Sequence, residues 1–103
     1  MTVTVNAAAP PPNQAPVANA GPDQTITLPT NSVTLTGSGT DTDGSIASYQ
    51  WTKVAGPAQG SITNAAAAQT TVTAMAQGTY RFELRVTDNN GVIGRDTMTV
   101  TVN

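Results

Sequence analysis

The stretch GTYRFELRVTDNNG, residues 78–91, decides the fold class. Every second residue in it is large and apolar: Tyr80, Phe82, Leu84 and Val86. The residues between them are polar or charged: Arg81, Glu83, Arg85 and Thr87. Because successive side chains of a strand point to opposite faces, this pattern predicts a β-strand with one buried face. The pair Asn90–Gly91 that follows suits a type I′ hairpin turn, in which both central residues need positive φ.

The same two-residue period recurs on both sides of this stretch. It appears in QTITL (24–28), SVTLTG (32–37), IASYQW (46–51), QTTVTAM (69–75) and DTMTVTVN (96–103). These patterns place Ile26 with Leu28, and Val72 with Ala74, on inward faces. Turn-forming residues separate the segments, and the alanine-rich 64–69 is too short to be a stable helix alone. We therefore predict an all-β antiparallel sandwich of about seven strands.

Composition excludes several classes of function. The chain of 103 residues has neither Cys nor His, so thiolate and imidazole catalysis are absent, and no enzyme is predicted. Only four cations occur at scattered positions in a chain of net charge −2, which argues against nucleic-acid binding. They are Lys53, Arg81, Arg85 and Arg95. No apolar run is long enough to span a membrane.

The word MTVTVN occurs twice, at residues 1–6 and again at residues 98–103. If the second copy is the last strand of this domain, the first is the last strand of a preceding repeat. Three prolines, Pro10–Pro12, follow the first copy and favour a semi-rigid spacer. We therefore assign residues 1–12 to the end of a preceding repeat plus a linker, and residues 13–103 to one sandwich domain. Neighbouring repeats of the same chain are the first expected partners.

The first copy of the word also carries a strand sequence that needs a partner. Strand addition to a sheet edge, including the edge of another molecule, would supply one. The residues that would pair in this way are Met1, Thr2, Val3, Thr4, Val5 and Asn6.

Three segments together resemble a known family. They are NQAPVANAG (13–21), DTDGSIASYQW (41–51) and the stretch quoted first. Together they are similar to the PKD domain, an immunoglobulin-like module named for polycystic kidney disease. The resemblance implies an extracellular or cell-surface location in a bacterial exported protein. One departure is that TKVAGP follows Trp51, where many PKD domains have a glycine-rich DFGDG.

Four residues are predicted to form the core: Trp51, Tyr80, Phe82 and Leu84. The position of Tyr80 at the start of its strand is typical of a tyrosine corner, whose hydroxyl bonds to backbone upstream. Because these roles use three of the chain's four aromatic residues, few are left for a sugar-stacking platform.

The acidic residues Asp41, Asp43 and Asp88 are candidate ligands for Ca²⁺. In an extended chain Asp41 and Asp43 point to the same side, and Ca²⁺ takes six to eight oxygen ligands. The family resemblance implies a calcium set of Asn13, Asp41, Asp43 and Asp88. The alternative is that these carboxylates only form turns, a common use of Asp beside Gly. Both interpretations stay open on the sequence.

We expect a non-catalytic spacer, presentation or adhesion module, one repeat of a tandem array, with calcium as its only candidate cofactor. One alternative is an accessory module of a secreted enzyme that binds a polysaccharide or a surface protein. Another is self-assembly by strand exchange through residues 1–6.

Overall fold

A computed structural model describes residues 14–42 and 44–103 of the chain. The described residues form strands and loops only, which confirms the all-β prediction. The described residues contain nine strands where about seven were expected, because three short strands, Val17–Asn19, Ser38–Thr40 and Ser61–Ile62, were not visible in the sequence pattern. The strands are β1 (Val17–Asn19), β2 (Gln24–Ile26), β3 (Val33–Thr36), β4 (Ser38–Thr40), β5 (Ile46–Ala55), β6 (Ser61–Ile62), β7 (Gln69–Thr73), β8 (Gly78–Asp88) and β9 (Ile93–Val102).

The strands form two facing sheets and a short ribbon. The larger sheet has the order β2-β9-β8-β5, the smaller has the order β3-β7-β6, and β1 pairs with β4. All described pairs are antiparallel except β2 with β9, which run parallel. Parallel strands need a long connection, and here the rest of the domain lies between the two strands. This one pair departs from the purely antiparallel sandwich that we predicted.

Strand β8 is the centre of the core. Its inward side chains Tyr80, Phe82, Leu84 and Val86 are all 0% exposed, and Trp51 from β5 is 1% exposed. The partners from β9 and the smaller sheet are also buried: Met98, Val100, Val102, Val33, Leu35 and Val72. Full burial of such a side chain contributes about 1.5–3 kcal/mol. The four core residues that we predicted therefore lie at the contact between the two sheets.

Tyr80 forms the expected tyrosine corner. Its hydroxyl oxygen accepts the backbone N–H of Ala76 at 2.8 Å and donates to the carbonyl of Ala76 at 3.2 Å. Its ring stacks parallel to Phe82 with centroids 6.0 Å apart. The corner fixes the start of β8 and the loop before it.

The loop of residues 56–60 packs over the same ring. Lys53 from β5 lies 5.8 Å from the Tyr80 ring centroid and donates to the carbonyls of Pro57 and Gln59. Gly60 has φ +99°, and a Cβ there would lie 3.1 Å from the Tyr80 ring. The partly buried ammonium of Lys53 therefore holds this loop against the Tyr80 ring.

The segment before β2, which we call the lead-in (residues 14–23), is held against β9 by polar contacts. Asp96 points inward from β9, and its Oδ2 accepts the backbone N–H of Ala20 at 2.8 Å. At Gly94 a Cβ would lie 2.0 Å from the carbonyl oxygen of Pro16, so only glycine allows this approach. Asp23 Oδ1 accepts the backbone N–H of Thr99 at 2.9 Å. In the first half of β9, Gly94 and Asp96 therefore contact the backbone of the segment before β2. The inner face of a sandwich strand would ordinarily bury apolar side chains there.

Three local predictions were wrong. Leu28 is 41% exposed because β2 ends at Ile26 and the chain turns. Ala74 is exposed at φ 56°, because β7 ends at Thr73 and Met75 is the next buried side chain. The hairpin after β8 is not type I′, since Gly91 has φ +86° but Asn90 does not have positive φ. For Leu28 and Ala74, the alternating pattern of the sequence extends beyond the residue at which the strand ends.

We expect Tyr80→Phe to lower the free energy of unfolding by about 1–3 kcal/mol, because the N–H of Ala76 loses its acceptor while the ring still packs. For a domain of this size each kcal/mol is worth about 4–8 °C in the melting temperature. Urea denaturation and a thermal melt would measure the change.

Tyr49→Phe is the matched control, because Tyr49 lies partly exposed on β5 outside this corner. Equal stability of the two variants would contradict a structural role for the Tyr80 hydroxyl.

Candidate functional site

Two of the predicted calcium residues, Asp41 and Asp88, lie at one end of the sandwich, which we call the acidic pole (Asp41, Ser45 and the turn Asp88–Val92). The loop after β4 and the turn after β8 meet at Asn89, whose backbone N–H donates to the Ser45 carbonyl at 3.0 Å. The Asn89 side-chain oxygen accepts the Ser45 N–H at 3.2 Å. The loop after β4 and the end of β8 therefore meet at this pole.

Asp88 organises the turn between β8 and β9. It is 1% exposed, and its Oδ1 accepts the backbone N–H groups of Asn90 and Val92, each at 2.9 Å. Its own N–H donates to the Val92 carbonyl at 2.9 Å, and its carbonyl accepts from Gly91 at 3.1 Å. A buried carboxylate is costly unless it is hydrogen-bonded, and these donors meet that need for one oxygen.

Asp41 lies beside the entering segment of the chain. It directly follows Thr40, which pairs with Val17 in the β1–β4 ribbon. It is partly buried, and its Oδ2 is a buried atom. Asp41 and Asp88 are thus both at the pole where the lead-in reaches the sandwich.

The other two predicted ligands, Asn13 and Asp43, lie outside the described residues, as do Met1–Asn6. Within residues 14–42 and 44–103, no group of three His, Cys, Asp or Glu side chains is placed to hold a metal ion. The four-residue calcium set stays a prediction. The described contacts of Asp88 are those of a turn-forming carboxylate.

The cations are not scattered, as they had seemed from the sequence. Arg81 and Arg85 alternate with the buried residues of β8, so they lie on the outer face of the larger sheet. Arg95 lies directly opposite Arg85 on β9 and shares that face. The alternation in the sequence put Arg81 and Arg85 on one face, but the register that adds Arg95 needed the structure.

The described carboxylates that sequence reasoning missed are Asp23 and Asp96. Both accept backbone N–H groups from segments 76 residues away in sequence. No local motif marks them, because their partners are defined only by the way the lead-in crosses β9.

The K319L-like PKD domain model matches residues 20–102, which is most of the chain. The chain belongs to the PKD domain family. This match confirms the resemblance that the three sequence segments carried, and it does not test the calcium set. The family model begins at Ala20 and leaves the boundary proposed at residue 13 untested.

A rat relative and two solved structures resemble the chain. The dyslexia-associated protein KIAA0319 homolog of Rattus norvegicus is 42% identical over 90 residues, which are 87% of this chain and 8% of that protein. The PKD domain from KIAA 1837 protein has a TM-score of 0.76 with 41% identity, and 84% of each chain is covered. The PKD domain of human KIAA0319 has a TM-score of 0.74 with 23% identity, covering 98% of this chain and 92% of that one.

These comparisons confirm the immunoglobulin-like sandwich. They give no support to a bacterial parent protein, since the rat relative is a mammalian protein. The described chain contains no helix long and apolar enough to cross a membrane.

We expect Asp88→Ala to lower the free energy of unfolding by about 2 kcal/mol or more, because two backbone N–H groups lose a buried charged acceptor. The loss should be the same in chelator and in Ca²⁺ if the turn bonds are its cause. Urea denaturation in both buffers measures it.

Thr42→Ala, an exposed change at the same pole, is the control. A loss that appears only in Ca²⁺ would assign Asp88 to an ion instead of to the turn.

Proposed function

We propose that the chain is a non-catalytic spacer or presentation module of an extracellular protein, used as one repeat of a tandem array. The observation that carries this proposal is that the lead-in and the end of the last strand lie at opposite ends of the sandwich. The lead-in contacts Gly94 at the acidic pole, whereas Val102 pairs with Gly78 at the far end of β8. Repeats joined through these ends would stack end to end along the strand direction.

The repeated word supports this arrangement. Its second copy supplies the end of β9, where Met98, Val100 and Val102 are buried. The first copy has the same sequence, as expected for the corresponding strand of a preceding repeat. Because β9 spans ten residues at about 3.4 Å each, one repeat would add roughly 35 Å to the length of a stalk.

The chemistry of the described site favours a non-catalytic role. The chain has no His or Cys, and the one fully buried acid, Asp88, is engaged in a turn. The chain spans 8% of the rat relative's length, so the activity of its parent protein is a separate question.

Calcium is proposed as a stiffener of the joint between repeats. Asp41 and Asp88 lie at the pole where the lead-in arrives, so an ion there would tie the linker to the sandwich. The proposal needs Asn13 and Asp43 as further ligands, together with backbone oxygens, to approach the number that Ca²⁺ prefers.

Strand exchange through residues 1–6 stays a second candidate. It is favoured because residues 1–6 have the same sequence as the end of β9, which pairs with both β2 and β8. The edge of β5 is a poorer site for strand addition, because the backbone N–H of Trp51 already donates to the Ala65 carbonyl at 2.7 Å.

The tandem arrangement is tested with a chain of two repeats, residues 1–103 followed directly by a second copy of residues 7–103. This joins the copies through the shared word and the proline linker. Small-angle X-ray scattering should give a maximum dimension about twice that of one repeat, since the repeats are expected to stack along their strands.

A variant with Pro10–Pro12 replaced by glycine is the control, and it should give a shorter and broader distance distribution. Two sandwiches packed side by side, with a maximum dimension close to that of one repeat, would contradict the spacer proposal.

Calcium binding is tested by a thermal melt in excess Ca²⁺ and in chelator. A ligand at one hundred times its dissociation constant adds about 2.7 kcal/mol, which raises the melting temperature of a domain of this size by more than about 10 °C. Asp41→Asn should abolish the rise, while Asp23→Asn, away from the pole, should keep it. If the unmodified chain melts at the same temperature in Ca²⁺ and in chelator, the acidic pole does not bind calcium and its carboxylates only stabilise turns.

A further inference from the structure

The outer face of β8 and β9 carries most of the positive charge of an acidic protein. We call it the arginine face (Arg81, Glu83, Arg85 and Arg95). It holds three of the chain's four cations but only one of its six acidic residues, although the chain as a whole has net charge −2. Charge of one sign has therefore been collected on one side of the domain.

The arrangement of these charges is unfavourable for folding. Arg85 and Arg95 are directly opposite each other in the β8–β9 register, and like charges in that position destabilise a sheet. Glu83 relieves only one of them, with 3.8 Å between its Oε1 and Arg95 Nε. Features that cost stability without a structural return are found mainly at functional sites.

Arg85 adds a second observation. Its Nε is buried and has no hydrogen-bond partner in the described part of the chain. The β5 residue opposite it, Gln50, directs its amide nitrogen to the Trp51 carbonyl at 3.2 Å. A guanidinium presents its donors in a planar fork that matches carboxylate, phosphate or sulfate. Because its buried Nε is not reachable from solvent, Arg85 would bind an oxyanion from outside the chain through its terminal amino groups, together with Arg95.

The surroundings of the pair are rich in hydroxyl groups. The register places Thr87, Thr97 and Thr99 on the same face of β8 and β9, and Ser48 and Thr52 on the same face of β5. The exposed apolar residues Val54 and Ile93 lie at the ends of their strands. No aromatic residue occupies an outward position on the three strands. The middle of this surface therefore consists of hydroxyl and guanidinium groups, with the Glu83 carboxylate and the Gln50 amide among them.

This composition selects among anionic partners. A protein partner would be expected to meet an apolar centre rich in aromatic residues, and single-stranded nucleic acid would be expected to meet stacking aromatics. The arginine face offers neither. A sulfated polysaccharide presents sulfate and carboxylate groups on a hydroxylated backbone, which complements guanidinium groups set among threonines.

We propose that the arginine face binds a sulfated polysaccharide, with Arg85 and Arg95 gripping one anionic group and Arg81 a second further along β8. Arg85 follows Arg81 by four positions in the strand, so their Cα atoms are about 13 Å apart. The inference rests on the proposed extracellular placement for the source of the polyanion. It is independent of the tandem array and of calcium, because a single repeat in chelator carries the complete face.

The test is binding of the single repeat to heparin, a sulfated polysaccharide, in chelator at neutral pH. We expect retention on immobilised heparin despite the net negative charge, with release at higher salt than from a plain sulfonate matrix. Calorimetry should show that the double variant R85Q/R95Q binds at least about tenfold more weakly. R85K should also be weakened, since lysine keeps the charge but loses the planar fork.

The matched control is T34E/T73E, which changes the net charge by the same amount on exposed positions of the smaller sheet. It should keep heparin affinity within about twofold. R85Q/R95Q should melt at or above the temperature of the unmodified chain, because it removes two opposed like charges, and the other variants should melt close to it, so that loss of fold is excluded as a cause.

Three results would overturn the proposal. The first is no retention on heparin, and the second is equal loss in the arginine and control variants. The third is tighter binding of poly-glutamate or of a DNA duplex than of heparin, which would assign the face to an acidic protein or to nucleic acid. A change in scattering of the two-repeat chain would not affect any of these outcomes, so the spacer proposal is judged separately.

Discussion

The whole structure depends on the burial of one side of β8. Four alternating side chains of this strand, from Tyr80 to Val86, are fully removed from water and contact both neighbouring strands and the opposite sheet. Because a shift of one residue would turn all four outward, the register of β8 is strongly constrained. The tyrosine corner then anchors the beginning of the strand, and Asp88 anchors its end. The same constraint places Arg81 and Arg85 on the opposite side, in water.

The polar contacts of the lead-in complete the sandwich where apolar packing stops. The inner face of β9 is apolar only in its second half, and Gly94 and Asp96 meet backbone in its first half. This brings the entering chain to the acidic pole and leaves the exit at the other end of the domain. The placement of the two ends is the observation on which the proposed stalk rests. A fold of this kind supports many functions, so the function depends on the residues at its sites.

Two surfaces of the domain would then have separate roles. The acidic pole lies on the axis of a proposed array and concerns the joint between repeats. The arginine face lies on the side of the array, where end-to-end contacts leave it accessible. A spacer whose sides bind a polyanion would hold its parent protein away from a surface and also attach it to the surrounding matrix. The two roles use different residues and can be lost independently.

The sequence by itself determined the fold class, the core and the family. Period-two alternation identified Tyr80, Phe82, Leu84 and Trp51 as inward, because side chains of a strand alternate whatever lies beyond them. The alternation went wrong at Leu28 and Ala74, because β2 and β7 end before them and the local pattern does not show it, and the turn type predicted at Asn90 was also wrong.

Only the tertiary structure decided which distant residues meet. The bond from Ala20 to Asp96, the opposition of Arg85 and Arg95, and the contact of Asn89 with Ser45 all join separate segments of the chain. Their partners are set by strand register and by the path of the lead-in, which arise from packing the two sheets together. Composition could count four cations, but only the register of β8 against β9 could show that three of them share one face.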